Sequence, residues 1–139
     1  TLWHVLHTAL HVSMVFSPTF IEMAGLKPSA TKPIDGESLL RLFRGQGKPK
    51  RSELFFHFPN YAWHMGNRLG GAVRSGDYKL IRNYDDQSLE LYNLKSDLGE
   101  SKNLAKRRPR LAKRLDQKLS AWLKETGAKM PKPPKPGAR

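Results

Sequence analysis

The chain has 139 residues, 38% of them hydrophobic and 27% charged, and no cysteine; this is one domain's worth of sequence, too apolar to be wholly disordered. The lack of cysteine excludes disulfide staples, thiolate metal sites and cysteine nucleophiles within it. Lys and Arg outnumber Asp and Glu by 25 to 12, but the excess is local: residues 1–99 hold twelve cations against nine acids, and residues 100–139 hold thirteen against three.

The opening TLWHVLHTALHVSMVF is apolar and carries His4, His7 and His11 at helical spacing. It lacks the basic start and small-residue cleavage site of a secretory signal, and no run reaches the roughly eighteen apolar residues of a membrane-spanning helix. We read it as the continuation of sequence outside this chain, or as a boundary whose native partners are missing. Three imidazoles on one face could surround a zinc ion, but no carboxylate accompanies them, so no metal is expected there. From Pro18, PTFIEMAGL predicts a short helix with Phe20, Ile21, Met23 and Ala24 on its apolar face and Gly25 as its stop. KPSATKPIDG, residues 27–36, is a surface loop. SLLRLFRG predicts a second short helix from Ser38 as N-cap to Gly45, and RGQGKPKR, residues 44–51, a polar loop.

The hydrophobic period then changes. ELFFHF, residues 53–58, reads as a buried strand closed by Pro59. After the irregular NYAWHMGNRLGG comes AVRSGDYKLIRNY, in which Gly76-Asp77 between two alternating runs signals a hairpin. Asp85-Asp86 separates its second strand from SLELYNL; adjacent acids there are turn chemistry rather than a calcium site. Three strands joined by tight turns make an antiparallel meander, to which ELFFHF adds a fourth at one edge. Pro109 then suits the first position of a longer helix, with Leu111, Leu115, Leu119, Trp122 and Leu123 as its stripe and Gly127 as its end. The stripe is expected to cover one face of the sheet. AKMPKPPKPGAR, rich in proline and lysine, is expected to be extended or disordered.

No nucleophile and base can be paired by spacing, since the serines sit in turns and at helix starts. HFPNYAWHMGNR, residues 57–68, differs in kind, because it gathers His57, Tyr61, Trp63, His64 and Arg68 in an irregular connection beside a strand. Rings and neutral donors there suit a sugar or aryl group, and Arg68 or Arg74 could face a sulfate. The aromatics could equally bury themselves over the sheet edge.

Taken in order, PTFIEMAGLKP, PIDGESLLRLFRGQ, ELFFHFPNY, GGAVRSGDYKLIRNYDDQSLELYNL and the leucine-striped helix resemble the carboxy-terminal portion of bacterial arylsulfatase-type sulfatases, from about Val12 to Met130. The resemblance implies a parent with an alkaline-phosphatase-like fold, whose large α/β domain precedes a smaller domain of antiparallel sheet and helix. It also implies a formylglycine made from cysteine or serine in a Cys/Ser-x-Pro/Ala-x-Arg motif, a calcium ion, and export of the complete protein. This chain has neither that motif nor the family's metal-ligand segments, so no catalytic residue, metal or cofactor is expected in it. Val15 stands where the family usually has an aspartate before the Pro-Thr pair, which sets the opening apart.

The expected fold is α+β, a four-stranded antiparallel sheet packed by a C-terminal amphipathic helix and preceded by short helices and loops. Residues 1–17 form an atypical opening at the boundary of a truncated catalytic domain, 18–52 a linking region, 53–127 the sheet-and-helix subdomain and 128–139 a Pro/Lys-rich tail. The expected role is structural support and one wall of the substrate cleft for a sulfated small molecule or glycan in the complete protein, with His57, Tyr61, His64 and Arg74 as contacts. The alternative is a non-catalytic module that binds a sulfated or phosphorylated polymer through its basic C-terminal segment; a gene remnant is the third. Neither a membrane nor a specific nucleic acid is expected as partner, because the cations spread around the helix and into the tail without interleaved aromatics.

Overall fold

A computed structural model describes residues 15–27, 36–46, 52–60 and 68–131. It divides into two compact units, residues 1–52 and 53–139. His4, His7 and His11 lie outside the described residues.

In the first unit, α1 (Phe16–Met23) and α2 (Leu40–Phe43) meet around a small cluster of Val15, Leu39 and Leu42. Thr19 is the polar centre of that contact: its hydroxyl donates to the Val15 carbonyl and accepts the Leu39 N–H at 2.9 Å, so a buried hydroxyl is satisfied twice. This corrects the expected apolar face of α1. The helix buries Pro18 and Thr19, while Phe20 and Met23 are 62% and 59% exposed, as is the neighbouring Phe16 that stacks on Phe20. Ser38 bonds the Leu40 N–H at 3.2 Å but α2 begins two residues later, since the bond spans only a local turn.

The second unit holds a sheet of order β1-β2-β3-β4, with β1 Glu53–Phe58, β2 Gly70–Ser75, β3 Tyr78–Asn83 and β4 Leu89–Asn93, every neighbouring pair antiparallel. Ser75 pairs with Tyr78 across Gly76-Asp77, and Gly76 at φ +57° supplies the positive φ that the first position of a two-residue hairpin turn requires. At the second turn the Asp86 carboxylate accepts the Ser88 N–H, which is the expected turn chemistry. The outer edge of β4 is occupied: Leu104 N–H donates to the Leu91 carbonyl at 2.7 Å and the Asn103 side chain accepts the Leu91 N–H at 3.1 Å. Those contacts spend the ladder groups that an open edge would offer to another strand.

Helix α3 (Pro109–Glu125) lies on one face of the sheet with proline in its first turn. Ala112, Leu115, Leu119 and Leu123 join Val73, Leu80 and Leu91 in a single core, flanked by the partly buried Leu111 and Trp122. Trp122 stacks on Phe55 with ring centres 5.1 Å apart. Polar contacts fix the helix at both sides of that core. Arg82 donates from Nε to Asp116 at 2.6 Å and from its terminal nitrogen to the Asp116 carbonyl and the Ser120 hydroxyl. Lys118 pairs with Glu53, and that partner, followed by the Ser75 hydroxyl, holds the Glu53 carboxyl below its usual range against the opposing effect of burial. Among the described residues no helix is long and apolar enough to cross a membrane.

Candidate functional site

Register assigns every strand residue to one of two faces. The rows Glu53–Ser75–Tyr78–Asn93, Phe55–Val73–Leu80–Leu91 and His57–Gly71–Arg82–Leu89 face α3. The alternate rows, Leu54–Arg74–Lys79–Tyr92, Phe56–Ala72–Ile81–Glu90 and Phe58–Gly70–Asn83, form the other face. His57 and Arg74 are therefore on opposite faces and do not form one site. Tyr61 and His64 lie outside the described residues.

On the helix side His57 is fully engaged within its unit. Its Nε2 is 3.0 Å from the Lys129 carbonyl oxygen and its Nδ1 is 2.7 Å from the Tyr84 hydroxyl. A carbonyl can only accept, so Nε2 carries a hydrogen toward Lys129, and Nδ1 shares the hydrogen bond with Tyr84. Tyr84 follows the end of β3 and reaches β1 by passing over Gly71, where a Cβ would come within 2.5 Å of the phenolic oxygen and 3.2 Å of Leu119. Gly71 therefore owes its place to a close approach. Burial pushes the Tyr84 hydroxyl above its ordinary pKa, partly offset by Arg82. The imidazole thus ties β1, the end of β3 and the segment after α3 together at the root of the β1–β2 connection.

The other face carries exposed rings and two arginines. Phe56 and Phe58, expected in a buried strand, are 47% and 45% exposed there. Arg74 sits in the row next to Phe56, partly buried, with an Nε atom shielded from solvent and lacking a hydrogen-bond acceptor among the described residues. Arg68, at the end of the β1–β2 connection, exposes its side chain and approaches Glu90 at only 3.8 Å. Glu90 is held mainly by neutral donors, Tyr92 at 2.6 Å and Asn83 at 2.9 Å, and these bonds keep its carboxyl ionised below the usual range. Lys79 is committed to Glu100 at 2.6 Å. On this face the rings of Phe56 and Phe58 and the Arg68 guanidinium reach solvent, whereas the unpartnered Arg74 Nε lies beneath the surface. Sequence reasoning missed the exposure of Phe56 and Phe58 because the run Leu54-Phe55-Phe56 hides its own alternation; it missed Tyr84, although a Gly-Gly pair inside a strand signals a close approach.

Residues 5–128 match the family described as N-sulphoglucosamine sulphohydrolase, C-terminal. The chain belongs to this family. A sulfatase of Formosa agariphila is 39% identical to it over an alignment covering 81% of this chain and 23% of that protein. An N-acetylglucosamine-6-O-sulfatase of Bacteroides thetaiotaomicron is 31% identical, covering 70% of this chain and 18% of the relative. A solved structure in complex with its substrate D-glucosamine-2-N,6-O-disulfate superposes with a TM-score of 0.68 at 28% identity, over 84% of this chain and 24% of that one. The sulfatase-family chain thus spans less than a quarter of the length of these relatives, and the sheet covered by α3 is the family's carboxy-terminal fold.

Proposed function

We propose that the chain is the carboxy-terminal part of a sulfatase, where it supplies structure and one wall of the cleft that holds a sulfated sugar, while the formylglycine and calcium ion of the reaction belong to another segment. The observation that carries this reading is the face of the sheet turned away from α3. Phe56 and Phe58 present half-exposed rings to a sugar, and Arg68, exposed, with Arg74, partly buried in the row beside Phe56, supplies guanidinium charge that matches a sulfate. Tyr61 and His64 belong to the connection between Phe58 and Arg68 and would contact the same ligand. His57 holds the end of β1, where that connection starts, through Tyr84 and Lys129. A sulfated glycan is the substrate class, and a sulfated glucosamine is the member tested first because two relatives are named for one.

The test is a titration of the isotope-labelled chain with D-glucosamine-2-N,6-O-disulfate, followed by NMR. Shifts are expected at the guanidinium N–H groups of Arg68 and Arg74 and at Phe56 and Phe58, and Arg68→Ala combined with Arg74→Ala abolishes them. Shifts confined to the outer cations of α3, or unchanged by that double substitution, would contradict the assignment.

A further inference from the structure

Among the described residues, several cations of the basic C-terminal segment are gathered on one face of α3. At about 100° per residue, Arg110, Lys113, Arg114 and Lys124 all fall within about 60° of the direction opposite the Leu115–Leu119–Leu123 core. Gln117 and Ala121 fill the same strip, and the one acid within that window, Glu125, lies beyond its last cation, Lys124. The other acid of α3, Asp116, lies to the flank and is bound by Arg82. The cations that could have neutralised the sheet side are spent inward: Lys118 on Glu53, and Arg108 on Tyr78, whose hydroxyl it meets at 2.8 Å with its guanidinium 5.6 Å from the ring centre. Lys106 and Arg107, both exposed, come just before the helix in the chain. The four strip cations are exposed as well, and among the described residues none of the six makes an ion pair with a carboxylate.

We propose that this outer face of α3 is a second, non-catalytic binding surface for a sulfated polysaccharide, which it holds along the helix by charge. From Arg110 to Lys124 the strip runs about 21 Å, long enough for several sulfates of a linear chain. Three features select this partner. Nothing aromatic stands among the cations, so bases have no stacking platform. The apolar face of α3 is buried in the sheet, which removes the hydrophobic half that a helix lying on a membrane requires. Flexible lysines and arginines without a fixed pocket suit a polymer read by charge density. The choice of a sulfated polymer rests on the proposed sulfatase reading, but the surface lies on the opposite side of the sheet from the proposed wall and can be tested separately.

The experiment compares binding of the chain to a heparin oligosaccharide and to DNA of equal charge, as a function of salt. One variant carries Arg110→Glu, Lys113→Glu and Arg114→Glu; a charge-matched control carries Arg41→Glu, Arg44→Glu and Lys95→Glu, all exposed and none of them a member of the strip. Thermal melts establish that both fold, and glutamine replacements at the three strip positions serve if reversal does not. The strip variant is expected to bind heparin at least about tenfold more weakly, with a salt dependence shallower by about three in the log–log slope, each lost contact releasing one counterion fewer. The control should retain binding, and DNA should bind more weakly than heparin. Equal loss in the control would reduce the effect to net charge, and equal or tighter binding of DNA would assign the surface to nucleic acid; either result overturns the proposal, whatever the titration of the sheet face shows.

Discussion

Tyr92 donates its phenolic hydrogen to Glu90 at 2.6 Å, and that bond, more than burial or the neighbouring acids, pushes its pKa from 10.0 to about 12. Ionising the phenol would set two anions against each other, so the folded state resists it. A folded pKa raised above the unfolded value contributes stability that is complete below pH 10 and is lost as pH climbs toward 12. Chemical denaturation between pH 9 and pH 12 should therefore show the native chain losing stability more steeply than Tyr92→Phe. Parallel profiles would remove the Tyr92–Glu90 bond from the account. The same scale explains the limits of reading site residues from sequence. His57 and Arg74 are seventeen positions apart, and only the register that pairs His57 with Gly71 reveals that they face opposite ways.

Helices end here by one rule that the sequence states openly. Gly25, Gly45 and Gly127 stand at φ +69°, +72° and +61°, and in each case the residue after the glycine donates back to a carbonyl five positions earlier: Leu26 to Ile21, Gln46 to Arg41 and Ala128 to Leu123. Every one of those stops was legible because a left-handed cap leaves glycine in the sequence. Helix starts were less so, since neither Val15 nor Leu39 nor Arg108 caps through its side chain. The leucine stripe of α3 was legible as period, and its packing gives it a magnitude. Leu115 is 2% exposed in the shared core, so Leu115→Ala should cost about 2 to 5 kcal/mol in equilibrium unfolding. A change under about 0.5 kcal/mol, the scale of surface substitutions, would mean that α3 does not depend on the sheet. The face of α1 was misjudged because apolar spacing cannot tell a core face from one that is exposed in this chain; the Thr19 hydroxyl, not the phenylalanines, meets Leu39.

On the scale of the molecule, the α+β architecture and the order of the meander followed from turn residues and period, whereas the proposed wall needed the pairing of β1 with β2 to bring Phe56, Phe58 and Arg74 to one face. Chemistry is a different matter from architecture. Hydrolysis of a sulfate ester needs a nucleophile and a preorganised positive field at the developing charge. On the proposed reading this chain supplies ligand contacts and neither of those. The most direct measurement is the hydrolysis of an aryl sulfate by the purified chain, followed over many turnovers beside a heat-treated control. No release above the control is predicted; sustained turnover that survives purification and disappears on heating would contradict the account.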